Sequence, residues 1–149
     1  MKLKPIKKQD FPEWRNMRKA LYLSNDDEFL DQEMEAIIKT GKCSCFCIKN
    51  ENSETIGLVE LSERNIVDGC LTSPVAYLEG LYLKPKYRGK GLGRTVIKQI
   101  MSLCRESGFT ELATDTNYDN FRARAFYKAI GFEELEQVVG FRIDIDQDD

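Results

Sequence analysis

Apolar residues recur every three or four positions in four stretches of the chain, which is the spacing of an amphipathic helix. In the first stretch Trp14, Met17 and Leu21 follow this spacing. Asp10, three residues before Glu13, resembles a capping box at the start of that helix. The predicted helices cover residues 10–22, 27–39, about 94–108 and 120–130, and the last three end at Gly41, Gly108 and Gly131.

Shorter stretches rich in β-branched and aromatic residues lie between the helices and predict strands. They cover residues 3–7, 43–49, 55–63, 75–84, 109–114, 132–136 and 138–145. The order β-α-α-β-β-β-α-β-α-β-β predicts a mixed α/β sandwich around one core. Residues 1–149 are therefore expected to form a single domain.

The composition narrows the classes of partner. The 149 residues are 42% hydrophobic and 32% charged, with a net charge of −3. This composition is typical of a soluble globular protein, and its slight acidity argues against nucleic-acid binding. No apolar run is long enough for a membrane span, and the first residues hold no apolar signal region. We therefore expect a cytoplasmic protein with no membrane partner.

The chain contains no histidine, which excludes Ser-His-Asp and Cys-His nucleophilic sites and the histidine-containing zinc motifs. Proton transfer near neutral pH must therefore use a carboxylate, tyrosine, cysteine, lysine or water. Cys43, Cys45 and Cys47 alternate along one predicted strand. Neighbours of this kind lie roughly 7 Å apart, too far to share one zinc ion. We expect them, with Cys70 and Cys104, to be small buried apolar groups, and we expect no metal.

A glycine-rich loop, Arg88-Gly-Lys-Gly-Leu-Gly-Arg94, separates a strand from a helix. This arrangement is typical of phosphate binding, because glycines let backbone N–H groups approach an anion at the positive end of the helix dipole. The loop lacks the Gly-Lys-Ser/Thr of a P-loop and the G-x-G-x-x-G of a dinucleotide-binding fold. A turn without a ligand is the remaining alternative for the loop considered alone.

Two spaced motifs together carry a family resemblance. Arg88-x-x-Gly91-x-Gly93 resembles the R/Q-x-x-G-x-G/A signature of the GNAT family of N-acetyltransferases, and residues 120–132 resemble its N-x-x-A-x-x-x-Y-x-x-x-G-F pattern. The resemblance covers essentially the whole chain. It implies an α/β (α+β) GNAT fold, with a mixed central sheet, a V-shaped splay between the fourth and fifth strands, and about four flanking helices.

A narrower resemblance lies in the middle of the chain. Residues 72–82, T-S-P-V-A-Y-L-E-G-L-Y, resemble a segment of the aminoglycoside 6′-N-acetyltransferases, as do residues 109–120 around Asp115. Near the N-terminus, W-x-x-M-R-x-x-L-Y resembles their W-x-x-L-R-x-x-L-W, with Tyr22 at a position that is often Trp. The resemblance implies acetyl transfer from acetyl-CoA to an aminoglycoside amine, conferring antibiotic resistance, by a homodimer.

The resemblance also implies where acetyl-CoA binds. The fourth strand would pair with the pantetheine arm, the loop amides would hold the pyrophosphate, and Asn120 would cap a helix or contact the CoA arm. Tyr127 would lie over the sulfur and protonate the departing thiolate. The implied cofactor-binding residues are Leu81, Tyr82, Leu83, Arg88, Gly89, Lys90, Gly91, Leu92, Gly93, Arg94, Thr95, Asn120 and Tyr127.

The amine needs a carboxylate that can hold the ammonium and accept its proton, directly or through water. Glu79 interrupts an apolar strand, where a charged residue is unexpected, and is the candidate base. Asp115 ends the next strand and is a second candidate, with a helix cap as the alternative. The resemblance adds Tyr22, Asp26 and Tyr77 to the substrate-binding set.

Two acidic runs bear on the substrate. Residues 26–35 hold six acids and no base, and Asp144, Asp146, Asp148 and Asp149 close the chain. Such runs are commonly solvated faces, but they would also attract a polycationic amino-sugar. Three functions remain open at this point: an aminoglycoside acetyltransferase, an acetyltransferase for a polyamine or a protein N-terminus, and a non-catalytic acyl-CoA-binding module.

Overall fold

The computed structural model describes residues 1–146, which fall into two compact units divided after Asp115. The first unit contains a five-stranded sheet and three helices, and the second contains one helix. The helices are α1 (Phe11–Tyr22), α2 (Asp27–Thr40), α3 (Leu92–Glu106) and α4 (Phe121–Ala129). The strands are β1 (Lys2–Pro5), β2 (Cys43–Lys49), β3 (Thr55–Arg64), β4 (Val75–Leu83) and β5 (Leu112–Thr114).

The sheet has the strand order β1-β2-β3-β4-β5 and is antiparallel except for the parallel pair β4-β5. That last pair is short, running only from Ala76 opposite Leu112 to Leu78 opposite Thr114. Beyond Leu78, β4 continues to Leu83 and pairs with β3 alone. The two strands therefore separate after Leu78, at the predicted splay.

Both faces of the sheet are covered, because neighbouring residues that point to opposite faces are equally buried. Cys47 and Leu58 pack on one face against Trp14, Met17 and Met34 of the first two helices. Ile48 and Val59 point to the other face and are fully buried as well. Helix α3 has one buried stripe, formed by Val96, Ile97, Ile100 and Cys104.

The cysteines take the predicted apolar role, although Cys43 and Cys70 are only partly buried. Cys45 and Cys47 belong to the core under α1 and α2, and Cys43 packs against the same cluster. The sulfurs of Cys43 and Cys45 lie 3.7 Å apart and are not bonded. The separation of roughly 7 Å expected from strand geometry was therefore wrong for this pair, because it describes the backbone spacing and the two side chains lean together. Burial raises the pKa of Cys104, which suits an inert thiol.

A carboxylate is buried at the centre of this core. Glu60 on β3 is only 1% exposed and accepts three hydrogen bonds from α1. Its Oε2 accepts from Trp14 Nε1 at 2.7 Å and from Arg18 Nε at 3.0 Å, and its Oε1 accepts from the Tyr22 hydroxyl at 2.7 Å. Arg18 is itself buried and also contacts Glu33 of α2 at 3.2 Å. One carboxylate therefore holds three successive turns of α1 to the sheet.

Most predicted boundaries agree with the structure to within a few residues, and two strands are shorter than predicted. Strand β1 ends at Pro5, and β5 begins at Leu112 rather than at 109. The Phe109 amide instead donates to the Cys104 carbonyl at the end of α3, which delays the strand. The capping box was also wrong, because the Asp10 carboxylate accepts from the Lys7 amide at 2.8 Å and makes no cap for α1.

The strands predicted at 132–136 and 138–145 are absent from the part of the chain that the structure describes. Their alternation of apolar residues is real, but no strand pairs with them, and an isolated strand is not stable in water. Phe141 and Ile145 are 94% and 92% exposed. Two of the C-terminal acids, Asp148 and Asp149, lie outside the described residues.

The position of Glu60 predicts a large loss of stability when its charge is removed. In Glu60→Gln the buried Arg18 keeps its charge and loses its buried partner, and breaking such a pair costs about 3 kcal/mol or more. Urea unfolding should show this loss. Glu63→Gln, an exposed position on the same strand, is the matched control and should stay within about 0.5 kcal/mol of the parent. If Glu60→Gln loses as little stability as the control, the buried Glu60 carboxylate does not stabilise the fold in the way proposed.

Candidate active site

Glu79 lies at a β-bulge. On β3 the neighbouring residues Glu60 and Leu61 pair with Gly80 and Leu78, so Glu79 has no residue opposite it. A bulge of this kind bends the strand and redirects a side chain, and bulges are common beside active sites. The Glu79 side chain is 24% exposed, in a strand whose preceding four residues are all buried. The local backbone thus explains how a carboxylate is tolerated within an apolar strand.

Arg64, the last residue of β3, binds the Glu79 carboxylate. Its Nη2 lies 2.5 Å from Oε1 and 3.0 Å from Oε2. The guanidinium carbon also lies 3.5 Å from the centroid of the Tyr77 ring, a cation–π contact. Sequence reasoning missed Arg64, because nothing in the order of residues shows that a strand end faces Glu79.

Tyr77 connects this pair to Asp115. Its hydroxyl donates a short hydrogen bond to Oδ2 of Asp115, just past the end of β5. Burial and this hydrogen-bonded carboxylate raise the pKa of Tyr77 well above its ordinary value, so the phenol stays protonated. Arg64, Tyr77, Glu79 and Asp115 form one connected group, here called the carboxylate cluster. The structure therefore brings together three of the residues predicted for the amine.

Tyr22 lies beside this cluster. A Cβ added to Gly80 would lie 2.5 Å from the Tyr22 hydroxyl and 2.8 Å from a methyl group of Leu21, so any larger residue there would displace these two side chains at the end of α1. Glu60 holds the Tyr22 hydroxyl, and burial together with that carboxylate raises the pKa of Tyr22. The aromatic ring is therefore fixed one residue along β4 from Glu79.

Asp26 and the acidic run after it are largely engaged within the protein. Asp26 caps α2, with its Oδ1 accepting from the Phe29 amide at 3.0 Å. Three of the other five acids of the run pair with bases on α1. These pairs are Asp27 with Lys19 at 2.8 Å, Asp31 with Arg15 at 2.6 Å, and Glu33 with Arg18 at 3.2 Å. Much of the negative charge of the run is thus neutralised locally.

The glycine-rich loop has the backbone that anion binding requires. Gly89 and Gly91 adopt positive φ angles of 74° and 78°, and an added Cβ at either would meet nothing within 4 Å. Gly91 is the N-cap of α3, whose first N–H groups have no acceptor within the helix. The loop is exposed and carries Lys90, so it fits a diphosphate.

Arg88 contacts the end of β4. Its Nε donates to the Leu83 carbonyl at 2.7 Å, and its guanidinium lies 5.3 Å from the Tyr82 ring centroid. This side chain therefore fastens the loop to the end of β4. In the same region Leu81 to Leu83 are half-buried and pair only with β3.

In the second unit, residues of the N-x-x-A-x-x-x-Y-x-x-x-G-F motif cap a helix, pack against each other and turn the chain. Asn120 caps α4 by accepting from the Ala123 amide at 3.1 Å. The Tyr127 ring makes edge contacts with Phe126 and Phe132, with centroids 5.1 and 5.2 Å apart. Gly131, at a φ of 106°, turns the chain so that Phe132 returns to Tyr127.

Within residues 1–146, no group of three or more His, Cys, Asp or Glu side chains is placed to hold a metal ion. No described helix combines the length and the apolar character needed to cross a membrane.

Comparison with known proteins identifies close relatives. The chain is 32% identical over 143 residues to an aminoglycoside N(6′)-acetyltransferase type 1 of Acinetobacter genomosp. 13, covering 95% of this chain and 97% of the relative. It is 33% identical over 138 residues to a protein of the same name from Stenotrophomonas maltophilia, covering 92% and 89%.

Solved structures agree with this relationship. The crystal structure of the aminoglycoside 6′-N-acetyltransferase AAC(6′)-IG from Acinetobacter haemolyticus superposes with a TM-score of 0.87 at 31% identity, covering 98% of this chain and all of that one. The structure of AAC(6′)-Iy with the bisubstrate analogue CoA-S-monomethyl-acetylneamine gives a TM-score of 0.85 at 28% identity, covering 96% and 97%.

The family model of the GNAT acetyltransferases matches residues 11–132, which include the glycine-rich loop, the bulge at Glu79 and the Asn120 to Phe132 motif. The sheet with its separating fourth and fifth strands is the fold that this resemblance implied. The chain belongs to the GNAT acetyltransferase family.

Proposed function

We propose that the protein transfers an acetyl group from acetyl-CoA to the 6′-amine of aminoglycosides, by direct transfer in a ternary complex. The observation that carries this proposal is the carboxylate cluster, which sets Glu79 and Asp115 together where β4 and β5 separate. Relatives at 32–33% identity carry that activity in their names. Acetylation of the antibiotic would confer resistance.

The acetyl-CoA site of this proposal follows the exposed edge of β4 to the loop. The pantetheine would pair with Leu81 to Leu83, because β4 has no partner on that side after Leu78. The pyrophosphate would bind the loop amides around Gly89 and Gly91, at the N-terminus of α3. Arg94 and Thr95 lie in the first turn of that helix and belong to the proposed phosphate site.

The carboxylates supply what the amine needs. An alkylammonium must lose a proton before its nitrogen can attack the thioester carbonyl. In the proposed reaction Glu79 accepts that proton, directly or through water, and Asp115 holds a second positive charge of the substrate. The amine nitrogen then bonds to the acetyl carbon, the carbon–sulfur bond breaks, and Tyr127 protonates the departing thiolate.

A second candidate function is acetylation of another amine, such as a polyamine or a protein N-terminus. The pairing of Asp27, Asp31 and Glu33 with α1 favours the protein N-terminus among these amines, because the paired acids are less able to attract a polycation than the sequence suggested. Turnover of acetyl-CoA with kanamycin, tobramycin, spermidine and a peptide panel separates the two. Turnover with none of them would favour a non-catalytic acyl-CoA-binding module.

The assembly belongs to the proposal as well. The exposed Val139, Phe141, Ile143 and Ile145 alternate as in a strand and are 70–94% exposed. The same segment of a second copy could supply the missing strand partner, so we propose a homodimer. The five cysteines are free thiols, as is usual in a reducing compartment, which supports a cytoplasmic location. The family match across residues 11–132 supports one domain.

Gly91→Asp tests the acetyl-CoA site. The substitution adds a negative side chain beside the proposed diphosphate position, so calorimetry should show acetyl-CoA affinity lowered at least tenfold, ~1.4 kcal/mol. Gly41→Asp is the matched control, because Gly41 also has a positive φ, of 64°, and an added Cβ there likewise meets nothing within 4 Å. Equal affinities in the two folded variants would remove the loop from the site.

Tyr127→Phe tests the proton donor. It deletes only the hydroxyl, so kcat should fall about 100-fold, with acetyl-CoA affinity nearly unchanged. Tyr118→Phe, an exposed tyrosine of the same unit, is the control and should keep parental kinetics. A kcat within twofold of the parent would show that Tyr127 only packs and that water donates the proton.

Glu79→Gln and Asp115→Asn test the amine site with kanamycin as substrate. Glu79→Gln removes the proton acceptor and should lower kcat/KM about 100-fold, whereas Asp115→Asn should act mainly by raising KM. The exposed Glu106→Gln on α3 is the control for loss of one acid. The roles assigned to the carboxylates fail if both variants acetylate kanamycin at the parental rate. The substrate assignment fails separately if the parent does not acetylate it.

A further inference from the structure

Both carboxylates of the cluster are engaged by the protein's own donors. Arg64 Nη2 reaches both oxygens of Glu79, at 2.5 and 3.0 Å, while the Tyr77 hydroxyl donates to Asp115. Arg64 also stacks on Tyr77, so one cation touches the carboxylate and the aromatic face together. A protonated amine bound to Glu79 would need the same oxygens.

We infer that Arg64 is an internal counter-cation, which occupies Glu79 in the free protein and is displaced from it when the ammonium of the substrate binds. This inference rests on the proposed function, because it concerns the amine site described there. A guanidinium and an alkylammonium both donate charged N–H groups, so they compete for one carboxylate. The free energy needed to displace Arg64 from Glu79 therefore lowers the affinity of the amine site for its substrate.

The surroundings of Arg64 suit displacement. Its side chain is 47% exposed, against 24% for Glu79, and it stands at the end of β3, opposite Val75. An ion pair this exposed is weak, and the freed guanidinium could extend into water. The buried pair of Arg18 and Glu60 is the contrasting case, with side chains 6% and 2% exposed, and could not open in this way.

The charges of the cluster give the direction of the effect. With Arg64 in place, one positive group offsets one of the two carboxylates. Without it, both carboxylates face the substrate uncompensated, and a polycation gains attraction from each. Loss of Arg64 should therefore tighten aminoglycoside binding, whereas loss of a purely structural residue would weaken it.

Arg64→Met keeps an unbranched apolar stem and removes the charged guanidinium, and Arg64→Lys retains the charge. Calorimetry with kanamycin, in the presence of CoA, should show Arg64→Met binding about fivefold more tightly than the parent, ~1 kcal/mol. Arg64→Lys should stay within twofold of the parent. Added salt should weaken binding more steeply in Arg64→Met, because more of the attraction is then screened charge.

Arg105→Met, at the exposed end of α3, is the matched control, because it changes the net charge equally and should leave kanamycin affinity unchanged. Equal or weaker binding by folded Arg64→Met would overturn the inference, as would an equal gain in Arg105→Met. If Arg64→Met does not fold, the side-chain NMR signal of Arg64 in the parent decides. It should shift on saturation with kanamycin, and an unmoved signal would overturn the inference.

The parent separates this inference from the proposed function. No acetylation of kanamycin by the parent would overturn the substrate assignment, and the inference with it. Acetylation by the parent without tighter binding by Arg64→Met would overturn the inference alone.

Discussion

The buried carboxylate of Glu60 is the interaction on which the proposed amine site depends. It accepts hydrogen bonds from Trp14, Arg18 and Tyr22. These three bonds fix which face of α1 packs against β3. Because Glu60 pairs in register with Gly80, the end of α1 comes down directly on β4 beside Glu79. The buried ion pair of Arg18 and Glu60 therefore helps to fix the position of Tyr22 beside the carboxylate cluster.

The sheet contributes two departures from regularity, and both lie at the site. The bulge at Glu79 redirects one carboxylate, and the loss of pairing after Leu78 separates β4 from β5. Leu78 and Thr114 are the last paired residues of the two strands, and the Thr114 hydroxyl donates to the Leu78 carbonyl at 2.8 Å. Up to Leu78, β4 is paired on both sides, and from there to Leu83 one of its edges has no strand partner among the described residues.

Local patterns predicted most of the fold, because α1, α2, β2 and β3 follow from periodicity and from capping glycines. The prediction of the two C-terminal strands was wrong, because a local pattern does not show whether a strand has a partner. Residues 138–145 have the alternation of a strand but no partner strand within the described chain. At the site, Glu79 was found because it interrupts an apolar strand, and Glu60 interrupts the neighbouring strand in the same way. Sequence cannot distinguish them, because their difference lies in the partner. Arg18 approaches Glu60 from α1 and is buried, whereas Arg64 approaches Glu79 at the exposed end of β3.

The bulge also sets which side of β4 each residue occupies. Leu78 and Gly80, two residues apart, would share a face in an unbroken strand, but they pair with the adjacent Leu61 and Glu60 and so face opposite ways. Loss of Glu79 alone would make Leu78 and Gly80 neighbours in a regular strand, so both faces of β4 would stay as they are and only the carboxylate would disappear. Among relatives, a one-residue gap aligned between Leu78 and Gly80 would therefore indicate an intact sheet without this carboxylate, even where the flanking motifs are intact.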